Sequence, residues 1–289
     1  MMIDTLPPRL GLADLADRYD VVLSDVWGVL HNGVAAWPEA GEALARFRSR
    51  GGAVVLISNA PRPSDRIVPM LDAMGVPRAA WDGFVSSGDL ARHEMLSAPG
   101  RRVHHIGPER DHSLFEGLGV RRTGVDDCDV AVVTGLHDDE TETPEDYRPT
   151  LDRLAARGLT LICANPDRIV ERGHRMVWCA GAIADLYEEM GREVVWLGKP
   201  HPAIYARALE VAASVLKRPA DRTRILAVGD ALRTDLAGAN AQGMDCLFMT
   251  GGIHGPDLGD PAEPEKLAAL LANAERPPVA WAKRLAWRL

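Results

Sequence analysis

The sequence has few cysteines and no long hydrophobic run, and both shortages exclude classes of protein. Its four cysteines stand outside any CxxC motif, and most lie in apolar stretches typical of buried segments. No stretch of about 18 uninterrupted apolar residues occurs, so the sequence predicts no membrane span. The opening MMIDTLPPRL lacks the cationic and apolar regions of a signal peptide. We therefore expect a reduced, cytoplasmic protein without a membrane partner.

Basic residues are also in the minority. The chain has 33 Lys and Arg against 41 Asp and Glu, which gives a formal net charge of -8. An acidic total gives no electrostatic reason to bind nucleic acid or an anionic membrane. The 289 residues, 46% of them hydrophobic, can bury a large core in one elaborated domain or two modest ones. We expect a protein that acts on a small molecule and binds no nucleic acid.

Short apolar runs rich in β-branched residues alternate with longer amphipathic stretches. The runs VVLS and AVVLI stand early in the chain, and EVVWLG, ILAVG and CLFM stand late. They lack polar alternation, as is typical of parallel strands that helices cover on both faces. The sequence predicts an α/β fold with a Rossmann-like parallel sheet to which both parts contribute strands.

A second set of such runs, RRVHHIG, CDVAVVTG and LTLICAN, lies between these two parts, with helical patterns near residues 113–117 and 145–156. This arrangement indicates an α/β insertion. The chain segments before and after this insertion would then form one discontinuous core.

Reactive or polar side chains follow four of the strands predicted for the core. These residues are Asp25, Ser58 with Asn59, Lys199, and Asp230 with Asp235 five residues later. A single carboxylate after a strand can merely cap the next helix, but open α/β sheets bind ligands at this edge. Carboxylates, a cation and a hydroxyl in one crevice match the needs of phosphoryl transfer with Mg²⁺. The sequence therefore predicts such a site.

Four segments in this order resemble the motifs of the haloacid dehalogenase (HAD) superfamily, class IIA. SDVWGVLHNG resembles the nucleophile motif, LISNAPRP the Ser/Thr-Asn motif, LGKPHPAIY the lysine motif and VGDALRTDLAGA the acidic motif. This branch includes p-nitrophenyl phosphatase-like and sugar phosphatase-like members. The resemblance implies a phosphatase-like hydrolase with a discontinuous catalytic core of residues 1–99 and 193–289, in which residues 100–192 form a C2-type cap domain. It also suggests homodimers.

The resemblance implies a role for each residue that matches the nucleophile and acidic motifs. Asp25 would attack phosphorus and form an aspartyl-phosphate. The carboxylates of Asp25 and Asp230, with the backbone carbonyl of Trp27, would bind Mg²⁺, and Asp235 would support the water shell of the metal. Carboxylate and carbonyl oxygens are the ligands that Mg²⁺ prefers.

The remaining motifs imply the groups that bind substrate. Ser58 would hydrogen-bond the transferring phosphoryl group, Asn59 would help shape the pocket, and Lys199 would neutralise charge and orient the nucleophile. The segment ANPDRIVERGHRMVWCAG resembles the substrate-facing loop of the family, and His174 is our candidate there. Neighbouring cations in this loop either grip a second anionic group or form a solvated basic loop: Arg168, Arg172 and Arg175.

Trp27 departs from the family motif, which has at this position a second Asp that protonates the leaving oxygen and later activates water. An indole N–H cannot do this, so this position lacks the ~100- to 10,000-fold rate enhancement that acid–base catalysis typically provides.

Three interpretations of Trp27 follow. The protein is a phosphatase that uses a cap residue, metal-bound water or a substrate with a good leaving group; it catalyses another reaction, such as dehalogenation or phosphonate cleavage; or it is a catalytically weak protein that binds a phosphorylated metabolite or partner. The carboxylates of GDALRTD favour phosphorus chemistry, and we expect a phosphatase for a small phosphorylated metabolite.

Overall fold

The computed structural model describes residues 6–172 and 175–289. Strands and helices alternate along most of the chain, as the apolar runs predict. The strands are β1 (Val21–Ser24), β2 (Ala53–Ser58), β3 (Gly83–Ser86), β4 (Arg102–Ile106), β5 (Arg121–Arg122), β6 (Val130–Val133), β7 (Leu161–Cys163), β8 (Ile169–Arg172), β9 (Arg175–Trp178), β10 (Val194–Trp196), β11 (Ile225–Gly229), β12 (Asp245–Met249) and β13 (Ala280–Ala282). The α-helices are α1 (Pro38–Ser49), α2 (Ser64–Ala73), α3 (Ser87–Leu96), α4 (Arg148–Ala156), α5 (Ala180–Glu189), α6 (Pro202–Leu216), α7 (Ala237–Ala241), α8 (Gly255–Leu258) and α9 (Pro264–Leu271).

The chain divides into two compact units. The first consists of Met1–Ser58, Pro69–Val85 and Tyr205–Leu289, and the second of Asn59–Val68 and Ser86–Ile204. Within residues 6–172 and 175–289, no helix combines the length and the apolar character that crossing a membrane requires.

The first unit is built on a sheet with the strand order β13-β12-β11-β1-β2-β3. Strand β1 pairs in parallel with β2 on one side and with β11 on the other, with Ser24 opposite both Leu56 and Val228. All residues of these three strands are buried, which explains why their sequences lack polar alternation. Because the strands are parallel, their carboxyl ends lie at one edge of the sheet. The strand order runs in opposite directions on the two sides of β1, and open α/β sheets bind ligands at the carboxyl edge beside such a point.

The second unit contains a parallel sheet with the order β10-β7-β6-β4-β5 and an antiparallel hairpin of β8 and β9. Helices α4 and α5 cover one side of this sheet with a buried cluster that includes Leu151, Leu154, Ile183 and Tyr187. Another cluster, with Met95, Leu114, Val132 and Ile162, packs around α3. The predicted α/β class with parallel sheets is confirmed.

One strand was assigned to the wrong sheet. The sequence predicts EVVWLG as a strand of the core sheet that carries Asp25 and Asp230, but β10 pairs in parallel with β7 in the second unit. Backbone hydrogen bonds from Leu161 to Glu193 and from Leu197 to Cys163 continue this pairing at both ends. The buried face of α5 brings the chain back to the sheet that it covers, so the next apolar run adds to that sheet.

Two predicted helices differ in form from the expected α-helices. The pattern near residues 113–117 falls at the end of a 3₁₀ segment, Glu109–Phe115, and the pattern at 145–156 begins as a 3₁₀ turn before α4. A π-helical turn, Leu232–Leu236, precedes α7. This turn carries Asp235 and therefore belongs to the candidate site.

Candidate active site

Asp25 lies directly after β1 and is buried. Its backbone N–H donates to the carbonyl oxygen of Val228 at 2.8 Å, which extends the ladder between β1 and β11 by one residue. The Ser24 hydroxyl donates to the Asp25 carbonyl oxygen, also at 2.8 Å. The backbone of Asp25 is therefore fixed on both sides, which holds its carboxylate at the sheet edge.

Asp230 follows β11, the neighbour of β1, and is also buried. Its Oδ2 accepts a hydrogen bond of 2.7 Å from the backbone N–H of Ile253. The Oδ2 of Asp235 accepts from the N–H groups of Asp230 and Ala231 at 3.2 and 3.1 Å. Asp235 thus shapes the loop that carries Asp230, a positioning contact that its spacing in the sequence did not indicate.

Asp25, Asp230 and Asp235 form a buried carboxylate cluster. Each offers an oxygen that lies within 4.8 Å of those of the other two. Buried carboxylates this close repel one another unless protons or a cation offset their charge. Oxygen atoms are the preferred ligands of Mg²⁺ and Ca²⁺, so the cluster fits a hard divalent cation.

Two glycines let the backbone approach this cluster closely. A Cβ on Gly28 would lie 2.1 Å from Oδ2 of Asp230, and a Cβ on Gly252 would lie 1.9 Å from the same atom. Gly28 also has a φ of +83°, which other residues rarely adopt. Gly252 and Ile253 were not among the predicted site residues. The glycine pair that ends CLFMTGG after a buried strand was the available signal.

The other predicted phosphoryl-binding residues are buried as well. Ser58 ends β2 in the first unit, and Asn59 and Lys199 lie in the second unit. The Asn59 side chain brackets the backbone of Lys199: its Oδ1 accepts from the Lys199 N–H at 2.7 Å, and its Nδ2 donates to the Lys199 carbonyl at 3.1 Å. Nδ2 also donates to Oδ1 of Asp167 at 2.9 Å.

Lys199 itself is only 2% exposed. A lysine this deeply buried keeps its charge only where polar or anionic groups compensate for the lost water. Its burial favours a functional role over that of a surface charge.

Trp27 is part of a tightly bonded loop between Val26 and Trp37. Its ring meets the imidazole of His31 edge to face, with 5.2 Å between centroids. A Cβ on Gly33 would lie 2.4 Å from Cη2 and Cζ2 of the indole, so the ring packs directly on the backbone there. The Gly28 N–H donates to the His31 carbonyl at 2.8 Å. These contacts fix the indole in the loop.

Two histidines of the first unit have pKa values below the ordinary range. Burial lowers the pKa of His31 to about 4, and its Nδ1 accepts a hydrogen bond from the Gly33 N–H at 2.9 Å. Burial also lowers the pKa of His254, opposed by the charges of Asp257 and Asp235. Its Nε2 accepts from the Leu232 N–H at 3.2 Å. Both rings are therefore neutral near pH 7.

The candidate substrate residue His174 lies outside the described residues. Of the neighbouring cations, Arg168 pairs with Asp185, and Arg172 donates to Asp139 at 2.7 Å. These two arginines are thus already engaged with carboxylates of their own unit, which favours a structural role for them over that of a second anion grip.

Family models match two separate parts of the chain. The first, described as haloacid dehalogenase-like hydrolase, matches residues 22–121, and the second, described as HAD-hydrolase-like, matches residues 196–274. The two matches include all four motifs that carry the resemblance.

One relative and two solved structures extend this result. The D-glycerol 3-phosphate phosphatase of Mycobacterium tuberculosis is 28% identical over 247 residues, which span 84% of this chain but only 66% of that relative. A structure of a glycerol phosphate phosphatase from the same organism, in complex with magnesium, is 26% identical with a TM-score of 0.62, covering 82% of this chain and 70% of its own. A haloacid dehalogenase-like hydrolase from Brucella suis is 42% identical with a TM-score of 0.85, covering 97% of this chain and 100% of its own. At that identity and coverage, the chain belongs to the haloacid dehalogenase-like hydrolase family, as its four motifs predicted.

Proposed function

We propose that this protein is a Mg²⁺-dependent phosphatase that cleaves a small phosphorylated metabolite through an aspartyl-phosphate at Asp25. The observation that carries this proposal is the buried cluster of Asp25, Asp230 and Asp235 at the carboxyl edge of a parallel sheet. A related phosphatase of Mycobacterium tuberculosis binds magnesium, which supports this choice of metal.

The chain supplies the metal ligands from two adjacent strand ends. The Asp25 and Asp230 carboxylates and the Trp27 carbonyl would hold Mg²⁺, and Asp235 would support its water shell while keeping the Asp230 loop in shape. When bound, the ion offsets the repulsion between an anionic phosphate and the attacking carboxylate. Gly28 and Gly252 leave the space that the Asp230 carboxylate needs.

The chemistry would proceed at the Asp25 carboxylate. One of its oxygens forms a bond to phosphorus while the bond to the leaving oxygen breaks, and water later releases phosphate and restores the carboxylate. The Ser58 hydroxyl would donate a hydrogen bond to a phosphoryl oxygen. Lys199 would contribute positive charge, and Asn59 would fix the Lys199 backbone through the two hydrogen bonds that bracket it.

Substrate choice would reside in the α/β insertion of residues 100–192, which we propose acts as a C2-type cap, with His174 as a contact residue. The relative from Mycobacterium tuberculosis is a D-glycerol 3-phosphate phosphatase. Fold fixes mechanism better than substrate, so we extend only the phosphatase class to this chain. The predicted homodimer and the cytoplasmic location stay predictions.

Trp27 favours a second candidate function, a catalytically weak protein that binds a phosphorylated metabolite. An intact carboxylate cluster beside a residue that cannot transfer protons suits binding as well as slow turnover. The two candidates predict the same ligands and differ in release of inorganic phosphate.

Turnover of p-nitrophenyl phosphate with Mg²⁺ tests the proposal directly. We expect hydrolysis that disappears with EDTA and in Asp25→Asn, while Asp17→Asn, an exposed carboxylate on the surface, retains it. Absence of turnover, together with Mg²⁺-dependent binding of phosphorylated metabolites in calorimetry, would replace the phosphatase by the binding protein. Turnover that survives Asp25→Asn would contradict Asp25 as the nucleophile. A panel of metabolite phosphates then identifies the substrate.

A further inference from the structure

Along the chain, Trp27 lies between a member of the carboxylate cluster and a glycine that packs against the cluster. Asp25 precedes it by two positions, and Gly28, whose backbone packs against the Asp230 carboxylate, follows it directly. The indole is also fixed by Gly33 and His31. The Trp27 backbone therefore adjoins the carboxylate cluster, and its ring, held by Gly33 and His31, carries its only N–H proton on a very weakly acidic indole nitrogen.

Five further titratable groups at or near this centre, among the described residues of the first unit, are also poor proton donors. The carboxylates of Asp25, Asp230 and Asp235 bind a cation only in their charged form. His31 is buried, and its Nδ1 accepts a hydrogen bond from a backbone N–H. His254 accepts one in the same way through Nε2. A ring nitrogen that accepts a hydrogen bond carries no proton, so each ring is neutral and the single N–H on its other nitrogen is a very weak acid.

We propose that Trp27 restricts this enzyme to phosphate esters and anhydrides whose leaving oxygen departs as a stable anion. This inference rests on the proposed phosphatase function. The suitable classes are aryl, enol and acyl phosphates, whose leaving groups are phenolates, enolates and carboxylates. Esters of ordinary alcohols, such as sugar and glycerol phosphates, are poor substrates because an alkoxide must leave without a proton.

The reaction is balanced without a protein acid. An Asp25 oxygen forms a bond to phosphorus as the bond between phosphorus and the leaving oxygen breaks. The electron pair of that bond stays on the leaving oxygen, which departs as an anion and takes its proton from water afterwards. The barrier then contains the full cost of that negative charge, so the rate depends steeply on leaving-group basicity.

A matched pair of substrates tests the inference. p-Nitrophenyl phosphate and p-nitrobenzyl phosphate have similar shape and charge, but the first releases a phenolate and the second an alkoxide. With Mg²⁺ present we expect kcat/KM to be at least ~100-fold lower for the benzyl ester, because no acid assists departure of its alkoxide. A series of substituted phenyl phosphates should show kcat/KM falling steeply as the basicity of the phenolate rises.

Substitution of Trp27 separates proton donation from the space that the ring occupies. Trp27→Asp should raise kcat/KM for the benzyl ester by ~100-fold or more and change that for the phenyl ester far less. Trp27→Asn removes about as much side-chain volume as Trp27→Asp, but its amide cannot act as an acid. It should therefore leave the ratio of kcat/KM for the benzyl and phenyl esters at its wild-type value. Activity on the phenyl ester shows in each variant that the centre is intact.

Several outcomes distinguish failure of this inference from failure of the proposed function. Similar kcat/KM values for the two esters in the wild type would overturn the inference alone, because a proton donor must then reach the leaving oxygen. The same conclusion follows if Trp27→Asn shifts the ratio as much as Trp27→Asp does. Lack of Asp25-dependent activity on every ester, in the wild type and in both variants, would overturn the proposed function itself.

Discussion

The side-chain amide of Asn59 brackets the backbone of Lys199 and uses both of its N–H groups as donors. Its oxygen accepts from the Lys199 N–H at 2.7 Å, and its nitrogen donates both to the Lys199 carbonyl at 3.1 Å and to Asp167 at 2.9 Å. An amide side chain offers an acceptor oxygen beside two N–H donors, which this arrangement requires. Asn59 thus holds the Lys199 backbone, and its part in shaping the pocket stays a prediction.

Asn59→Asp should reduce catalysis without unfolding the protein. The substitution keeps the acceptor but replaces both donors by an oxygen that faces the Lys199 carbonyl and the Asp167 carboxylate. Loss of hydrogen bonds of this kind costs about 1–3 kcal/mol, so we expect kcat/KM for p-nitrophenyl phosphate to fall roughly 10- to 100-fold. Circular dichroism checks the fold.

Asn240→Asp makes the same chemical change at another amide that donates to a backbone carbonyl, that of Arg276. This variant should keep the wild-type kcat/KM. Equal activity of the Asn59 and Asn240 variants would argue that the bracket around Lys199 has no role in turnover.

Gly28→Ala should weaken Mg²⁺ binding, because the new methyl group would lie 2.1 Å from Oδ2 of Asp230 and must displace that carboxylate. Gly51→Ala is a close control: Gly51 has a φ of +92°, similar to the +83° of Gly28, but no atom lies within 4 Å of its Cβ position. In both variants an alanine in the left-handed conformation costs about 1–2 kcal/mol. Only in Gly28→Ala does the new methyl group also contact the carboxylate cluster.

Calorimetric titration with Mg²⁺ distinguishes the two effects. We expect at least a ~10-fold higher Kd in Gly28→Ala, which corresponds to about 1.4 kcal/mol, and an unchanged Kd in Gly51→Ala. A common loss of affinity in both variants would mean that backbone strain, rather than contact with Asp230, explains the glycine at position 28.

The sequence predicted the strand ends of this site better than the loops around them. Asp25, Ser58 and Asp230 each follow a buried apolar run, and parallel strands bring such residues to one edge whatever the details of the loops. The run before Lys199 was predicted as a strand but assigned to the wrong sheet. Apolar periodicity identifies a strand without naming its neighbour, and only the pairing with β7 does that.

The contacts that complete the site leave weaker signals in the sequence. Ile253 binds Asp230 through its backbone N–H, which every residue except proline possesses, and Gly252 contributes by the absence of a side chain. Asp235 was recognised as an acidic residue, but its bonds to the N–H groups of Asp230 and Ala231 depend on the π-helical turn that carries it. Backbone geometry of this kind is visible only in the folded chain.

Asp20→Asn should destabilise the first unit in a pH-dependent way. Hydrogen bonds from Arg224 and Arg218 lower the pKa of the Asp20 carboxyl to about 2, below the value near 3.8 of an unperturbed Asp. The charged form is therefore stabilised in the folded state, and this stability is present above pH 4 and lost as pH falls towards 2. Both arginines are about half exposed, so screening limits the effect to about 1 kcal/mol.

Urea unfolding of the wild type and Asp20→Asn measures this contribution. The difference in free energy of unfolding should be equal at pH 7 and pH 5, shrink below pH 4 and decrease in high salt. A difference that does not change with pH would assign the effect to lost packing or hydrogen bonding rather than to the carboxylate charge.

An aspartyl-phosphate at Asp25 should accumulate during turnover of a substrate with a good leaving group. Trp27 cannot activate the water that hydrolyses this intermediate, whereas departure of p-nitrophenolate needs little assistance, so the second step limits the rate. Rapid mixing with p-nitrophenyl phosphate should release about one p-nitrophenolate per active site in a burst before the slower steady state. Acid quenching should trap phosphate on the wild type and none on Asp25→Asn.

Trp27→Asp should remove the burst by accelerating hydrolysis of the aspartyl-phosphate, and Trp27→Asn should keep the burst. Linear release from the first turnover in the wild type would show instead that water is activated efficiently by another group.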